Sequence, residues 1–286
     1  MSLASRFSSL IDEERSSGRL WLYSNYHCNL ACRYCLTASS PKSPVRGLTK
    51  VQMLEAVVQA KDLGFNSVGI TGGEPFLQPW LPDLLAEIGM VLPVIVLTNG
   101  TLLTRETVRK GLLKSRGLPV QLQVSVDDPN PLVHDSHRGE GTFRRAIEGI
   151  PWLVNQGLSV RISSTRNFAT QVEKQAHDTL MREWMRNLGL VADDHVARTM
   201  IQRGQAQGNG MGVQVDWQML PADLTLTRMG AFYSPFSPTY IGDKLQTDML
   251  LTRTILPLSV PLSRLIECLE SVDTEHQSAA EAAGFV

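Results

Sequence analysis

Cysteine is scarce: four in 286 residues, three of them within eight positions, which is no basis for a disulfide framework. Long apolar runs are missing too. A membrane helix needs roughly 18 such residues, and Met90–Leu97 is among the longest runs present. Neither charge is in excess: 27 Lys and Arg face 28 Asp and Glu, a formal net charge of −1, with no long block of one sign. No nucleic-acid partner is asked for by that balance, and no membrane partner by the hydropathy. The opening MSLASRFSSLIDEERSSGRL puts acids where a signal peptide needs its apolar stretch, so the expected location is cytoplasmic. With 43% hydrophobic and 19% charged residues, the chain is not disordered and can build a sizeable core. Its length allows one large α/β domain or a core with a small appendage.

What is present is a rhythm. Short β-branched runs at Leu20–Ser24, Ser67–Thr71, Val94–Thr98, Val120–Asp127, Val160–Thr165 and about Val196–Gln202 alternate with helical patterns. Val51, Leu54 and Val58 predict one helical face behind a Thr49 N-cap, with Gly64 ending the helix. Thr101 to Lys114 predicts a polar helix. Phe143, Ala146, Ile147, Ile150, Leu153 and Val154 make a third stripe, with a kink expected at Pro151. Val172, Ala176, Leu180, Trp184 and Leu188 make a fourth, stopped by Gly189. Strands that alternate with helices and are nearly continuously apolar predict a parallel α/β sheet covered by helices. Six strands are too few for a closed eightfold barrel but enough for an open one, with functional groups at the strands' carboxyl ends.

Beyond residue 203 the rhythm breaks. RGQAQGNGMG reads as a loop, short strands are expected at Leu224–Arg228 and Met249–Thr252, and a helix at Leu262–Leu269. The tail from Ser271 is expected to be loosely held. The expected organisation is an N-terminal extension over 1–19, a strand–helix unit over 20–202 and a small α+β extension over 203–286 that could serve as a lid or platform for a substrate.

Cys28, Cys32 and Cys35 follow the first strand with C-x3-C-x2-C spacing. Three thiolates in one loop can hold three corners of a cubane iron–sulfur cluster and leave the fourth iron open to a small chelating molecule. A zinc site normally closes its shell with four protein ligands, and only His27 or the distant Cys268 could supply the fourth. At the end of the second strand stands Thr71-Gly72-Gly73-Glu74-Pro75. Two glycines there would let a ligand approach the backbone, and Glu74 offers an acceptor for an ammonium group. Alone, GGEP would be an ordinary strand-to-helix turn; about forty residues after the cysteines it is far more specific.

Together the two motifs resemble the radical S-adenosylmethionine (radical SAM) superfamily, and the SPASM/twitch-type subgroup within it. The resemblance implies a partial (β/α)6 TIM-like barrel over roughly residues 20 to 202. It implies one [4Fe–4S] cluster on Cys28, Cys32 and Cys35, with SAM chelating the open iron. Gly72, Gly73 and Glu74 would contact the methionyl ammonium, Tyr34 would border the adenine, Asn99 would end the ribose-contacting strand, and Ser125 would face the methionyl carboxylate or ribose. His134-Asp-Ser-His-Arg138-Gly-Glu-Gly-Thr-Phe143 looks like the HD-x-x-RG-x-G-x-F pattern of the subgroup, and Arg138 could pair with a carboxylate. The implied activity is reductive cleavage of SAM to a 5′-deoxyadenosyl radical that abstracts hydrogen from a ribosomal peptide or small biosynthetic intermediate. A flavodoxin- or ferredoxin-like external donor would supply the electron. An activase of a glycyl-radical enzyme is a second catalytic reading, and a zinc-binding or degenerate interaction module a non-catalytic one.

The chain departs from the subgroup in its C-terminal region. Only Cys268 follows Cys35, and one cysteine cannot hold an auxiliary cluster. Asp128 stands where relatives frequently have glycine after the fourth strand, and Gln205 follows Gly204 where arginine is often seen. Cys268 itself, among Leu265, Ile266 and Leu269, reads as a small hydrophobe.

Overall fold

Each strand expected in the first two hundred residues forms, along with three helices in stretches where none was expected. The computed structural model describes residues 1–168, 170–191, 194–241 and 244–271; the tail beyond Ser271 lies outside them. The first half runs α1 (Leu3–Asp12), β1 (Arg19–Tyr23), α2 (Lys50–Asp62), β2 (Ser67–Thr71), α3 (Leu81–Gly89), β3 (Val94–Thr98), α4 (Glu106–Leu112) and β4 (Val120–Ser125). It continues through α5 (Pro131–Arg138), α6 (Thr142–Ile147), α7 (Ile150–Asn155), β5 (Ser159–Arg166), α8 (Gln171–Arg186) and β6 (His195–Thr199). After them come α9 (Gln205–Gly208), β7 (Thr225–Thr227), β8 (Gly230–Phe232), β9 (Tyr240–Ile241), β10 (Lys244–Leu245), β11 (Leu250–Thr252) and α10 (Ser259–Ser271).

Strands β1 to β6 lie side by side in chain order, all parallel, as the strand–helix alternation predicts. The architecture is α/β, a partial TIM-like barrel. From the chain after residue 203, expected as a C-terminal extension, three strands continue this sheet, and β9 and β10 form a small antiparallel pair of their own. β7 pairs parallel to β1, and β8 and β11 follow antiparallel, giving the order β11-β8-β7-β1-β2-β3-β4-β5-β6. The first residues also belong to the core: Phe7 of α1 is fully buried against Phe65 at 4.6 Å between ring centroids. Arg6 pairs with Glu270 of α10 at 2.6 Å.

Side chains alternate across a strand, and here the alternation divides two environments. Leu20, Leu22, Val68, Ile70, Val94, Val96, Leu122, Val124, Val160 and Ile162 are buried in the hydrophobic core. The intervening Arg19, Trp21, Tyr23, Thr71, Leu97, Ser125 and Arg198 instead line a cavity. The outward face is an apolar layer, and the inward face carries polar and charged groups.

Two helices turn a different face to the sheet than expected. Val51 and Val58 of α2 are exposed, and Met53, Ala56, Val57 and Ala60 are buried. On α8, Val172, Ala176 and Leu180 face solvent, and His177, Met181 and Met185 face inward. Both sets in α2 satisfy helical spacing, and the small alanines let that helix approach the sheet closely. The predicted helix Thr101–Lys114 starts only at Glu106. Pro151 breaks rather than bends its segment: α6 ends at Ile147, and Pro151 sits in the first turn of α7, where its missing N–H has no helical partner to lose. The expected loop at 203–212 contains the single turn of α9. Among the described residues, no helix is long and apolar enough to cross a membrane.

Candidate active site

A cavity of about 320 Å³ opens at the carboxyl ends of the strands. Cys28, Cys32 and Cys35 line it, together with Tyr34, Gly72, Gly73, Asn99, Ser125 and Arg138. Nine of the ten residues expected to form the site therefore meet in one place. The tenth, Glu74, does not reach the cavity. Its carboxylate is fully buried and accepts from the Thr98 hydroxyl at 2.8 Å, the Asn99 N–H at 2.8 Å and the Phe76 N–H at 3.0 Å. Burial raises its pKa to about 7 despite those three donors. In this geometry Glu74 ties the end of β2 to the end of β3.

The glycines beside it also have a different neighbour than expected. Gly72 has φ +135°, and a Cβ there would stand 2.2 Å from the Asn25 carbonyl. A Cβ on Gly73 would stand 2.1 Å from the His27 carbonyl. The space is filled by the chain's own backbone: the Gly73 N–H donates to Asn25 O at 2.9 Å and the Glu74 N–H to His27 O at 3.0 Å. The cysteine loop is thus strapped to the GGEP turn, with the outer edge of Gly72 and Gly73 left facing the cavity.

The thiols are supported individually. Cys28 Sγ accepts from the Leu30 N–H at 3.4 Å and from Asn99 Nδ2 at 3.7 Å. Cys35 Sγ lies 3.4 Å from the Thr37 hydroxyl. Burial pushes the Cys28 and Cys32 thiols up to about 12, so a cationic centre is needed to hold them as thiolates. Asn99 is fixed in turn: its Nδ2 donates to Asn29 and its Oδ1 accepts from the Thr101 N–H and hydroxyl.

Arg138 has its carboxylate within the protein. Its Nε and Nη2 donate to Asp127 at 2.7 and 2.9 Å, and the Tyr34 hydroxyl donates to the same group at 2.5 Å. Burial alone would raise Asp127, but the Arg138 charge and these hydrogen bonds overcome it and hold the carboxyl below its ordinary range. Tyr34 lies under the guanidinium, 5.4 Å from ring centroid to Cζ. Asp128 also has a structural task, binding Arg166 Nη1 at 2.6 Å.

Several neighbours were not expected. Gly204, at φ +57°, packs against the Cys35 and Leu36 carbonyls, and the Gln205 N–H donates to Cys35 O at 2.9 Å. Pro221, Asp223, Pro235 and Phe236 add a wall from the C-terminal segment, held by the Tyr23 hydroxyl donating to Pro235 O at 2.6 Å. Trp21, Thr37, Arg19 and Arg198 also line it. The strand alternation carried a signal for Trp21, Arg19 and Arg198; nothing local marked the rest.

The radical SAM superfamily model matches residues 22–170, just over half of the chain. The chain belongs to that superfamily. Radical SAM proteins use a [4Fe–4S] cluster and SAM, and the donor set here fits that pair. Three thiols share the cavity, His27 Nδ1 is engaged by the Ser43 carbonyl at 3.0 Å, and Cys268 stands on α10 outside the cavity. Among the described residues no three His, Cys, Asp or Glu side chains could hold a single metal ion. Two curated radical SAM relatives are similar over 141 residues, 48% of this chain. The Bacillus subtilis antilisterial bacteriocin subtilosin biosynthesis protein AlbA is 33% identical over 31% of its own length. The AdoMet-dependent heme synthase of Methanosarcina barkeri is 35% identical over 39% of its length. The matched region thus spans about a third of each. The structure of anSMEcpe with bound AdoMet and Cp18Cys peptide shares the fold over 90% of this chain and 84% of that one, with a TM-score of 0.55 and 14% identity.

Proposed function

We infer that the protein is a single-cluster radical SAM enzyme that abstracts hydrogen from a peptide or a small biosynthetic intermediate. The observation that carries this is the set of three thiols around one cavity, with no fourth cysteine or histidine facing it among the described residues. Cys28, Cys32 and Cys35 would hold the cluster. Bound together, cluster and SAM supply reductive cleavage of SAM, the source of the hydrogen-abstracting radical, with the electron from an external flavodoxin- or ferredoxin-like donor. The chain's own contribution is to place and enclose. Gly72 and Gly73 present backbone for the amino end of SAM, Tyr34 offers a flat wall for the adenine, and Ser125 offers a hydroxyl. Asn99, the Leu30 N–H and the Thr37 hydroxyl hydrogen-bond to the sulfurs, which tunes a cluster's potential. A peptide substrate is supported by the biosynthetic role in AlbA's name and the peptide bound to anSMEcpe; a small molecule is supported by the heme synthase.

Anaerobic reconstitution with iron and sulfide should give about four irons per chain. SAM and dithionite should then release 5′-deoxyadenosine, and Cys32→Ala should lose both results while Cys268→Ala keeps both. A colourless, zinc-loaded protein unchanged by air would overturn the reading.

A further inference from the structure

One group inside the barrel has no use in that scheme. Arg198, on β6, points inward by strand alternation and lines the same cavity as the cysteines. Every other cavity-lining charge is engaged. Arg138 is bound to Asp127, and Arg19 Nε donates to Ser67 Oγ at 3.1 Å with its guanidinium 5.6 Å from the Trp21 ring. Asp223 takes both Ser17 donors and the Ser16 hydroxyl on one oxygen and the Trp21 indole N–H on the other. Among the described residues Arg198 makes no hydrogen bond and no ion pair. Arg161, on the adjacent β5, is also an inward position, and its buried Nε has no acceptor.

These arginines repel one another. Burial, followed by the charges of Arg161 and Arg19, lowers Arg198 to about 10, and burial and Arg19 lower Arg161. The charge of Asp223 is felt by Arg19 and that of Asp194 by Arg161; among the described residues no carboxylate pairs with Arg198. Arg198 is half-buried on the cavity wall; a partly desolvated guanidinium without an acceptor is costly, and it contributes no structural bond in return. Its planar fork suits an oxyanion.

We propose that Arg198, supported by Arg161 and Arg19, binds an oxyanion of the substrate, a carboxylate or a phosphate, and so anchors the molecule inside the barrel below the cysteines. This rests on the reading of the cavity as the substrate site of a radical SAM enzyme. Arg198 is then a specificity residue: an uncharged analogue leaves it unpaired.

The test uses reconstituted holoenzyme, anaerobic and saturated with SAM, titrated calorimetrically with inorganic phosphate and separately with glutarate. One of the two should bind, and the tighter one identifies the oxyanion. Arg198→Gln should weaken it about tenfold or more, Arg198→Lys less, and Arg161→Gln measurably, whereas Arg144→Gln at an exposed position should change nothing. Comparable thermal melts would show the variants folded. Absence of binding by both probes, or equal binding by Arg198→Gln, would overturn the proposal. So would binding that SAM abolishes, because SAM's own carboxylate would then be the occupant. Iron content and 5′-deoxyadenosine release of the wild type report on the cofactor reading, so either can fail without the other.

Discussion

His177 is an apolar-face residue that happens to be titratable. It faces inward on α8, its Nε2 3.2 Å from the Ser164 hydroxyl and its Nδ1 3.3 Å from Arg166 Nη1. Burial, then the Arg166 charge, lowers it from the ordinary 6.5 to about 4; burial does the same to His134. Below pH 6.5 the unfolded chain takes up these protons while the folded one refuses them until about pH 4. Acidification through that window therefore favours unfolding. Between pH 7.5 and 6.0 each histidine should remove up to about 1 kcal/mol. Urea melts of holoenzyme at the two values should show the loss, and His177→Gln should show a smaller one; an equal loss would place the titration elsewhere. At this scale the cysteine loop and GGEP were legible because each is a contiguous motif. The cationic group was not, because Arg19, Arg161 and Arg198 come from three strands and meet only through barrel register. The position of Glu74 off the cavity was illegible for a related reason: a residue type states what an acceptor can do, and only the neighbouring strand shows which donors have already taken it.

The strands were read well because β-branched runs between turns have one meaning, and Ser67–Thr71 and Val94–Thr98 fall at the expected bounds. The helix faces were not, because two interleaved stripes can both satisfy a 3.6-residue period. On α8 adjacent residues settle the matter: Leu180 is 48% exposed and Met181 fully buried. Met181→Ala should cost about 2–5 kcal/mol through lost burial and a cavity, and Leu180→Ala should stay within about 0.5 kcal/mol. Denaturant midpoints of the two variants check this. The reverse ranking would restore the face expected from sequence. Helix α3 escaped notice because it is short and its polar stripe is narrow: only Asp83 and Glu87, four residues apart, leave the buried face, and they pair with Lys114 and Lys50.

At the scale of the molecule, the C-terminal segment is part of the barrel sheet. β7 covers the edge of β1, Leu224, Leu226 and Phe232 are buried, and α10 packs Leu262, Leu265, Ile266 and Leu269 into the core. A chain ending at residue 202 should therefore expose a buried strand edge and associate. Size exclusion should show aggregates, and thermal melts should lose cooperativity. A monomeric fragment with a sharp melt would show that the six-stranded unit is self-sufficient.

The two-sided strands separate what keeps the protein folded from what it can act upon. Apolar residues facing the helices are committed to packing, but the alternating inward positions rest on few of those contacts. A lineage could exchange Arg198 or Leu97 for other side chains and fit a new molecule at little risk to the scaffold. The cysteine loop and its glycine strap have no such freedom, because each occupies space the other leaves. Variation in this chain's relatives should accordingly run along the inner wall of the barrel and stop at its rim.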